Sequence, residues 1–213
     1  MAITLVAGQI ATFNGVNSAA LPSNPAAGNA IIIGGFRTGS IPTAVASTND
    51  TFTSAVHSAF NSSLSVYMSI YYATGIVGGA NSKTVSLSVY GAGWIAEYAG
   101  IKPSSAFDQY STSQTLTPGS LTPAGSGELF IASVTANVQA TVPGGWTDMG
   151  VISADGDAAY LVNAGSGAEN PTFGGGATIA VSVMAAFKPV PLAPLPPGTN
   201  FSLTQAVNRS STF

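Results

Sequence analysis

Apolar residues recur at every second position along several stretches of this 213-residue chain. Leu64, Val66, Met68, Ile70 and Tyr72 share one side of such a stretch, with Ser65, Tyr67, Ser69 and Tyr71 on the other. Val85, Leu87 and Val89 alternate with Ser86 and Ser88, and Ile179, Val181, Val183, Ala185 and Phe187 repeat the pattern. Successive side chains of a strand point to opposite faces, so this period specifies strands with one buried and one solvated face. No stretch carries a convincing helical stripe. Ile31-Ile32-Ile33 and Leu129-Phe130-Ile131 are apolar on both faces. They are expected centrally in a sheet or beneath a covering loop.

The breaks between these runs have turn chemistry: Gly78-Gly79-Ala80-Asn81, Gly91-Ala92-Gly93, Pro143-Gly144-Gly145, Asp155-Gly156-Asp157 and Gly174-Gly175-Gly176. Strands are expected near 2–7, 29–37, 64–73, 83–90, 93–99, 127–135, 146–153, 157–163 and 177–187. Residues 48–61 fit a short helix or a strand. Residues 103–126, rich in Ser, Thr and Pro, read as a long surface loop with room for a short edge strand. Many short strands separated by glycine-rich turns imply an all-β, antiparallel β-sandwich, jelly-roll-like in form.

Charge is scarce. Asp, Glu, Lys and Arg make up 6% of the chain, against about 25% in ordinary soluble domains. Ser, Thr, Asn and Gly must therefore hold the surface in water, and such a surface can be covered without stranding unpaired charge. The five basic residues, Arg37, Lys83, Lys102, Lys188 and Arg209, are scattered, and the net charge is −3. That arrangement offers nothing to a polyphosphate, so no nucleic-acid partner is expected. No apolar run approaches the roughly 20 residues of a membrane span, so no membrane partner is expected either. The chain has no cysteine, which removes disulfides, thiolate metal sites and a Cys nucleophile. Met1-Ala2-Ile3-Thr4-Leu5-Val6 has no basic leader and reads directly as a strand. Synthesis in a host cytoplasm without a signal peptide is the expectation.

Few residues offer chemistry. His57 is the only histidine, no G-x-S-x-G elbow occurs, and Asp50 is the only acid near it. A catalytic triad therefore has little to build on. The carboxylates Glu97, Asp108, Glu128, Asp148, Asp155 and Asp157 are the candidates for paired acid–base work. Glu97 has no second carboxylate at strand spacing and reads better as an acceptor that fixes a loop backbone. Asp155-Gly156-Asp157 could help Asp148 ligate calcium, yet Asp-Gly is first a hairpin turn. Gly174-Gly175-Gly176 lacks the Lys-Ser/Thr of a phosphate loop. No cofactor, metal or catalytic residue is assigned. Tyr67, Tyr71 and Tyr90 are candidates for exposed faces, and Trp146 follows a Gly-Gly turn; such rings stack on sugars or pack under loops and partners.

After Lys188 the composition changes. Residues 1–188 form the expected sandwich domain, residues 189–198 a Pro-rich linker of polyproline II character, and residues 199–213 a C-terminal arm. The arm reads as a segment that docks on a neighbouring subunit, by strand addition to an open edge. Pro191, Pro194, Pro197, Phe201, Leu203, Val207 and Phe213 are the residues expected to carry that docking. An end that packs on nothing is the plainer alternative.

Ala27-Gly28-Asn29-Ala30-Ile31-Ile32-Ile33, then Val66 to Ala73, then Lys83 to Val89 follow one another in a distinctive order. Ala96-Glu97-Tyr98-Ala99-Gly100, Phe107-Asp108, Glu128 to Ala132, Gly145-Trp146-Thr147 and Ala185-Ala186-Phe187-Lys188-Pro189 continue it. Over roughly residues 1–189 this order resembles a recurrent β-sandwich module of bacteriophage virion proteins and some bacterial surface proteins. The resemblance implies a jelly-roll-like sandwich with a structural or adhesive role and brings no enzymatic residues. The expected function is that of a non-enzymatic virion structural protein, a head decoration, cement or other repeated outer-surface protein. It would associate with copies of itself and with a major capsid or other virion protein. A carbohydrate-binding or adhesin module that meets a surface glycan at a virion or cell surface is the alternative.

Overall fold

The computed structural model describes residues 2–40, 45–153, 156–163 and 165–191, apart from the side chains of residues 57, 58, 89 and 90. The first half of the chain supplies β1 (Thr4–Ala20), β2 (Ala30–Thr38), β3 (Val45–Ala46), β4 (Thr53–Asn61), β5 (Val66–Thr74), the single-turn α1 (Ala80–Lys83) and β6 (Thr84–Ala99). The second half supplies β7 (Phe107–Ser113), β8 (Glu128–Ala136), β9 (Thr147–Asp148), β10 (Gly156–Asn163) and β11 (Ala180–Phe187). The strands form two antiparallel sheets, ordered β1-β6-β2-β5-β4 with β3 beside β6, and β7-β11-β8-β10-β9. The all-β antiparallel sandwich expected from the alternation is the observed class. Pairing is nested within each half: first strand with last (β1–β6, β7–β11), second with next to last (β2–β5, β8–β10). Each half of the chain thus forms its own sheet.

Three apolar layers hold the sandwich. Ile32, Met68, Ile70, Trp94 and Tyr98 of the first sheet meet Leu129, Ile131, Val181, Val183 and Phe187 of the second. The outer face of the first sheet carries another cluster, Ile31, Ile33, Tyr71 and Ile95 beneath Leu21, Val45, Phe52 and Val85. The outer face of the second carries a third, Phe130, Val134 and Met184 beneath Leu121, Ala140 and Phe173. This explains the runs that are apolar on both faces. Ile32, Leu129 and Ile131 point inward while Ile31, Ile33 and Phe130 lie beneath loops.

Several boundaries differ from expectation, each for a local reason. β1 extends far past residue 7 because register breaks between Leu5 and Ile10, Asn14 and Val16, and Val16 and Ser18 reset the alternation. Gly91-Ala92-Gly93 is not a turn: β6 runs through it, uniting the strands expected at 83–90 and 93–99. Its glycine is needed for close approach, since a Cβ on Gly93 would overlap the Gly34 carbonyl oxygen. There the β1–β6 ribbon folds over its own sheet, so that Leu87 lines one crevice with Ile33, Ser69 and Tyr71. The ambiguous 48–61 stretch contains strand β4, and the 103–126 segment contains edge strand β7. The strand expected at 146–153 shrinks to β9. Asp157 and Gly156 begin β10, the turn closing instead between Ser153 and Gly156.

Candidate functional site

Few charged side chains stand fully in solvent. Among the described residues Asp148 is the only charged side chain that is exposed, and Asp50, Glu97, Glu128 and Asp157 are buried. Each has structural work. Asp50 accepts from the Val77 amide at 2.9 Å and from Ser47 Oγ at 2.9 Å, tying the segment after β3 to the one after β5. Glu97 follows the inward-facing Ala96 on β6, so it points to the outer face of the first sheet beneath the 21–29 loop. It accepts from Gln9 Nε2 at 2.8 Å, the Ala26 amide at 2.8 Å and Asn29 Nδ2 at 2.6 Å. Gln9 in turn donates to the Ser23 carbonyl and accepts from the Ser23 amide. The loop-fixing role expected of Glu97 is the one its contacts provide.

A second acidic centre forms where β7, β11 and β8 end together. Phe187 pairs with Phe107 on one side and Leu129 on the other, while Ala186 pairs with Gln109. Asp108 is thus the extra residue of a β-bulge, which re-aims its side chain. Phe107 itself is wedged between the rings of Tyr72 and Phe187. Lys188 Nζ lies 2.8 Å from Asp108 Oδ1, and the Ala124 amide donates to Asp108 Oδ2 at 3.2 Å. Burial works against ionisation of Asp108, but Lys188 and the Ala124 amide outweigh it and hold the carboxyl below its ordinary value. Glu128, 1% exposed, accepts from the Gly125 amide at 3.1 Å, while its Oε2 is buried without a hydrogen-bond partner. Burial and then the Asp108 charge push its carboxyl up. In its protonated form Glu128 could donate toward Asp108. With Gln109 Nε2 donating to the Thr122 carbonyl, this centre pins the loop before β8.

Asp108 and Glu128 were both legible as carboxylates, but their pairing was not, because it crosses three strands rather than following one. Asp157, 4% exposed, accepts from the Ala158 amide at 2.8 Å. Burial first, then the Asp148 charge, raise its pKa to about 6. Asp155 lies outside the described residues, and among those described no three metal-ligating side chains of His, Cys, Asp or Glu type come together. His57 lies on β4 and Tyr90 on β6. Tyr71 is buried rather than exposed, in the outer cluster of the first sheet. Tyr67 is half-buried and stacks on exposed Phe60 at 4.4 Å, and Trp146 packs against the outer cluster of the second sheet.

Open clefts lie elsewhere on the described surface. One of about 340 Å³ lies at the ribbon bend between Asn14, Gly15, Arg37, Thr38 and Gly91. Another, of about 300 Å³, lies between Gln114–Thr117 and Ala177–Ala180. Neither brings two titratable side chains together. The crevice under Leu87 holds only about 10 Å³, space for a single water at most.

The root of the tail is bonded to the body. Lys188 donates to the Ala106 carbonyl at 2.7 Å and accepts from the Lys102 amide at 3.0 Å. Pro189 bridges Ile101, and the Val190 amide donates to the Gly100 carbonyl at 2.8 Å. Two residues assigned to the linker by composition therefore belong to the folded body. Pro191 is exposed at its end, whereas Pro194, Pro197, Phe201, Leu203, Val207 and Phe213 lie outside the described residues. Compared with family models, curated proteins and solved structures, the chain matches none.

Proposed function

We propose that this chain is a non-enzymatic structural protein of a bacteriophage virion, a repeated outer-surface component such as a head decoration or cement protein. It packs through its sandwich and C-terminal arm against copies of itself and a capsid or other virion protein. The observation that carries the reading is how little charge the surface shows. With Asp148 the only exposed charged side chain among those described and the other surface charges part-buried, neighbours can cover this surface through apolar contact and hydrogen bonds while desolvating few ions. The virion context rests on the order of segments it shares with the phage β-sandwich module.

Sedimentation of the full chain and of a chain ending at Pro191 tests this. The full chain should assemble, and the shortened chain should keep its β-sheet circular dichroism but lose association. Assembly should change little between about 0.05 and 0.5 M salt, since exposed charges contribute little to it. Dissociation by moderate salt, or equal association of both chains, overturns the proposal. The exposed Phe60–Tyr67 stack favours one second reading, an adhesin whose rings meet a glycan. Glycan binding that Phe60→Ala abolishes, with association unaffected by the truncation, would put that reading in its place.

A further inference from the structure

The first sheet ends in an edge that is poorly defended. β1 contains neither a charged residue nor a proline in 17 residues, although charges, prolines and shortness are the usual protections of an open edge. Among the described residues it pairs with β6 alone. Between its register breaks, Ile10 to Asn14 pair continuously with Ala96 to Ala92, leaving a regular stretch whose other side is open to a further strand. The competing edges are less suitable. β4 has two register breaks in nine residues and β9 has two residues in all. β7 has seven residues and carries the Asp108–Lys188 ion pair at its start.

The root of the tail lies beside β1. Val190 is bonded to Gly100, and Gly100 packs so closely on Ala2 that a Cβ there would overlap the Ala2 carbonyl oxygen. From Pro191 to Pro197 a polyproline II segment would cover about 19 Å. Along β6 from Gly100 to Trp94, the partner of Thr12, the distance is about 20 Å. That reach would bring Thr199 level with the middle of β1. The sequence that follows, Asn200-Phe201-Ser202-Leu203-Thr204-Gln205-Ala206-Val207, has large apolar residues at 201, 203 and 207, the small Ala206 between the last two, and no charge. That is the pattern of a strand with one apolar face, and it suits an uncharged edge.

We infer that the free edge of β1 at Ile10–Asn14 is the seat of part of residues 199–207, a stretch of which adds to the first sheet as a further strand. The inference shares with the assembly reading the premise that the tail docks, but not the premise that it docks on another copy. Exchange of the same strand between copies turns the contact into an inter-subunit link at little cost.

The absence of cysteine makes the test clean. Asn14→Cys, at an exposed position, is combined in the full chain with a cysteine at each of residues 200–205 in turn. Strand neighbours sit within disulfide range. Oxidation should therefore cross-link one or two of these pairs, alternating with strand parity, and leave the others free. Cross-linked dimers from such a pair support both the β1 seat and the assembly reading. A cross-link within one chain supports the seat and overturns the inter-subunit arm. Cross-linking at no position, or indiscriminately at all, overturns the inference while leaving assembly to the sedimentation experiment. The Asn14→Cys chain alone is the control: if it dimerises as readily, a second copy's β1 fills the edge and the inference falls.

Discussion

Glu97 and Glu128 occupy matching places in the two sheets and solve the same problem differently. Each is buried on the outer face of its sheet, beneath a loop that its carboxylate holds. Glu97 receives three hydrogen bonds, from Gln9, Ala26 and Asn29. Glu128 receives one, from Gly125, and meets a second carboxylate at Asp108. The difference shows that donor supply decides what a buried acid can be. Surrounded by donors, it organises a loop; short of donors and beside another charge, it is pushed toward its protonated form. Asp157 belongs with Glu128, having one amide donor and Asp148 nearby.

Removing the well-supplied acid should do the most damage. Glu97→Ala strands donors of Gln9, Ala26 and Asn29 in a site with little water, at a cost of at least about 3 kcal/mol. For a body of this size that lowers Tm by roughly 10 °C. Limited proteolysis should then cut first within residues 21–29. Glu97→Gln keeps an acceptor but turns an amide donor toward other donors, so its loss should be intermediate. A change below about 1 kcal/mol for the alanine variant would mean that the loop is held by packing alone.

What was legible in the sequence follows from the same contrast. The role of Glu97 could be read from one strand, because no second carboxylate stands at strand spacing from it. The Asp108–Glu128–Lys188 centre could not. Its members are adjacent only after β8 and β11 pair and a bulge turns Asp108 toward Lys188. The strand class was plain wherever the period of two ran unbroken, as in β5 and β11. It was hidden in β1, where glycines at the first two register breaks, Gly8 and Gly15, take φ values of 71° and 66°. Gly91 to Gly93 misled for a related reason: glycine marks close approach as readily as a turn.

The intermediate effect belongs to Asp157→Asn. The folded pKa of Asp157 is about 6, above its ordinary 3.8. The sign follows by linkage: its contribution is fully present below the ordinary value and lost as pH rises through about 6. The substituted amide would keep an oxygen for the Ala158 N–H and carry no charge toward Asp148. The variant should gain about 1–2 kcal/mol over the parent at pH 8, allowing for solvent screening, and nothing near pH 4. Thermal melts at the two pH values read the difference directly. A gain of equal size at both would assign it to packing instead of ionisation.

The smallest effect, and the most exacting for the comparison, is that of Glu128→Gln. Its amide oxygen can accept from Gly125 as Oε1 does, and its NH2 group can donate toward Asp108 as the protonated acid would. At acidic pH the substitution should be nearly silent, within about 1 kcal/mol. The raised pKa of Glu128 means that the parent's contribution is lost as pH rises through its folded value, so the variant should become the more stable chain in mildly alkaline solution. Asp108 behaves in the opposite sense: its lowered pKa gives a contribution present above its ordinary value and lost on acidification. Glu128→Gln should therefore flatten the alkaline side of the stability profile and leave the acid side to Asp108. If instead it destabilises the chain at every pH by as much as Glu97→Gln does, Glu128 is a loop anchor of the same kind as Glu97. Donor count would then not be what separates the two.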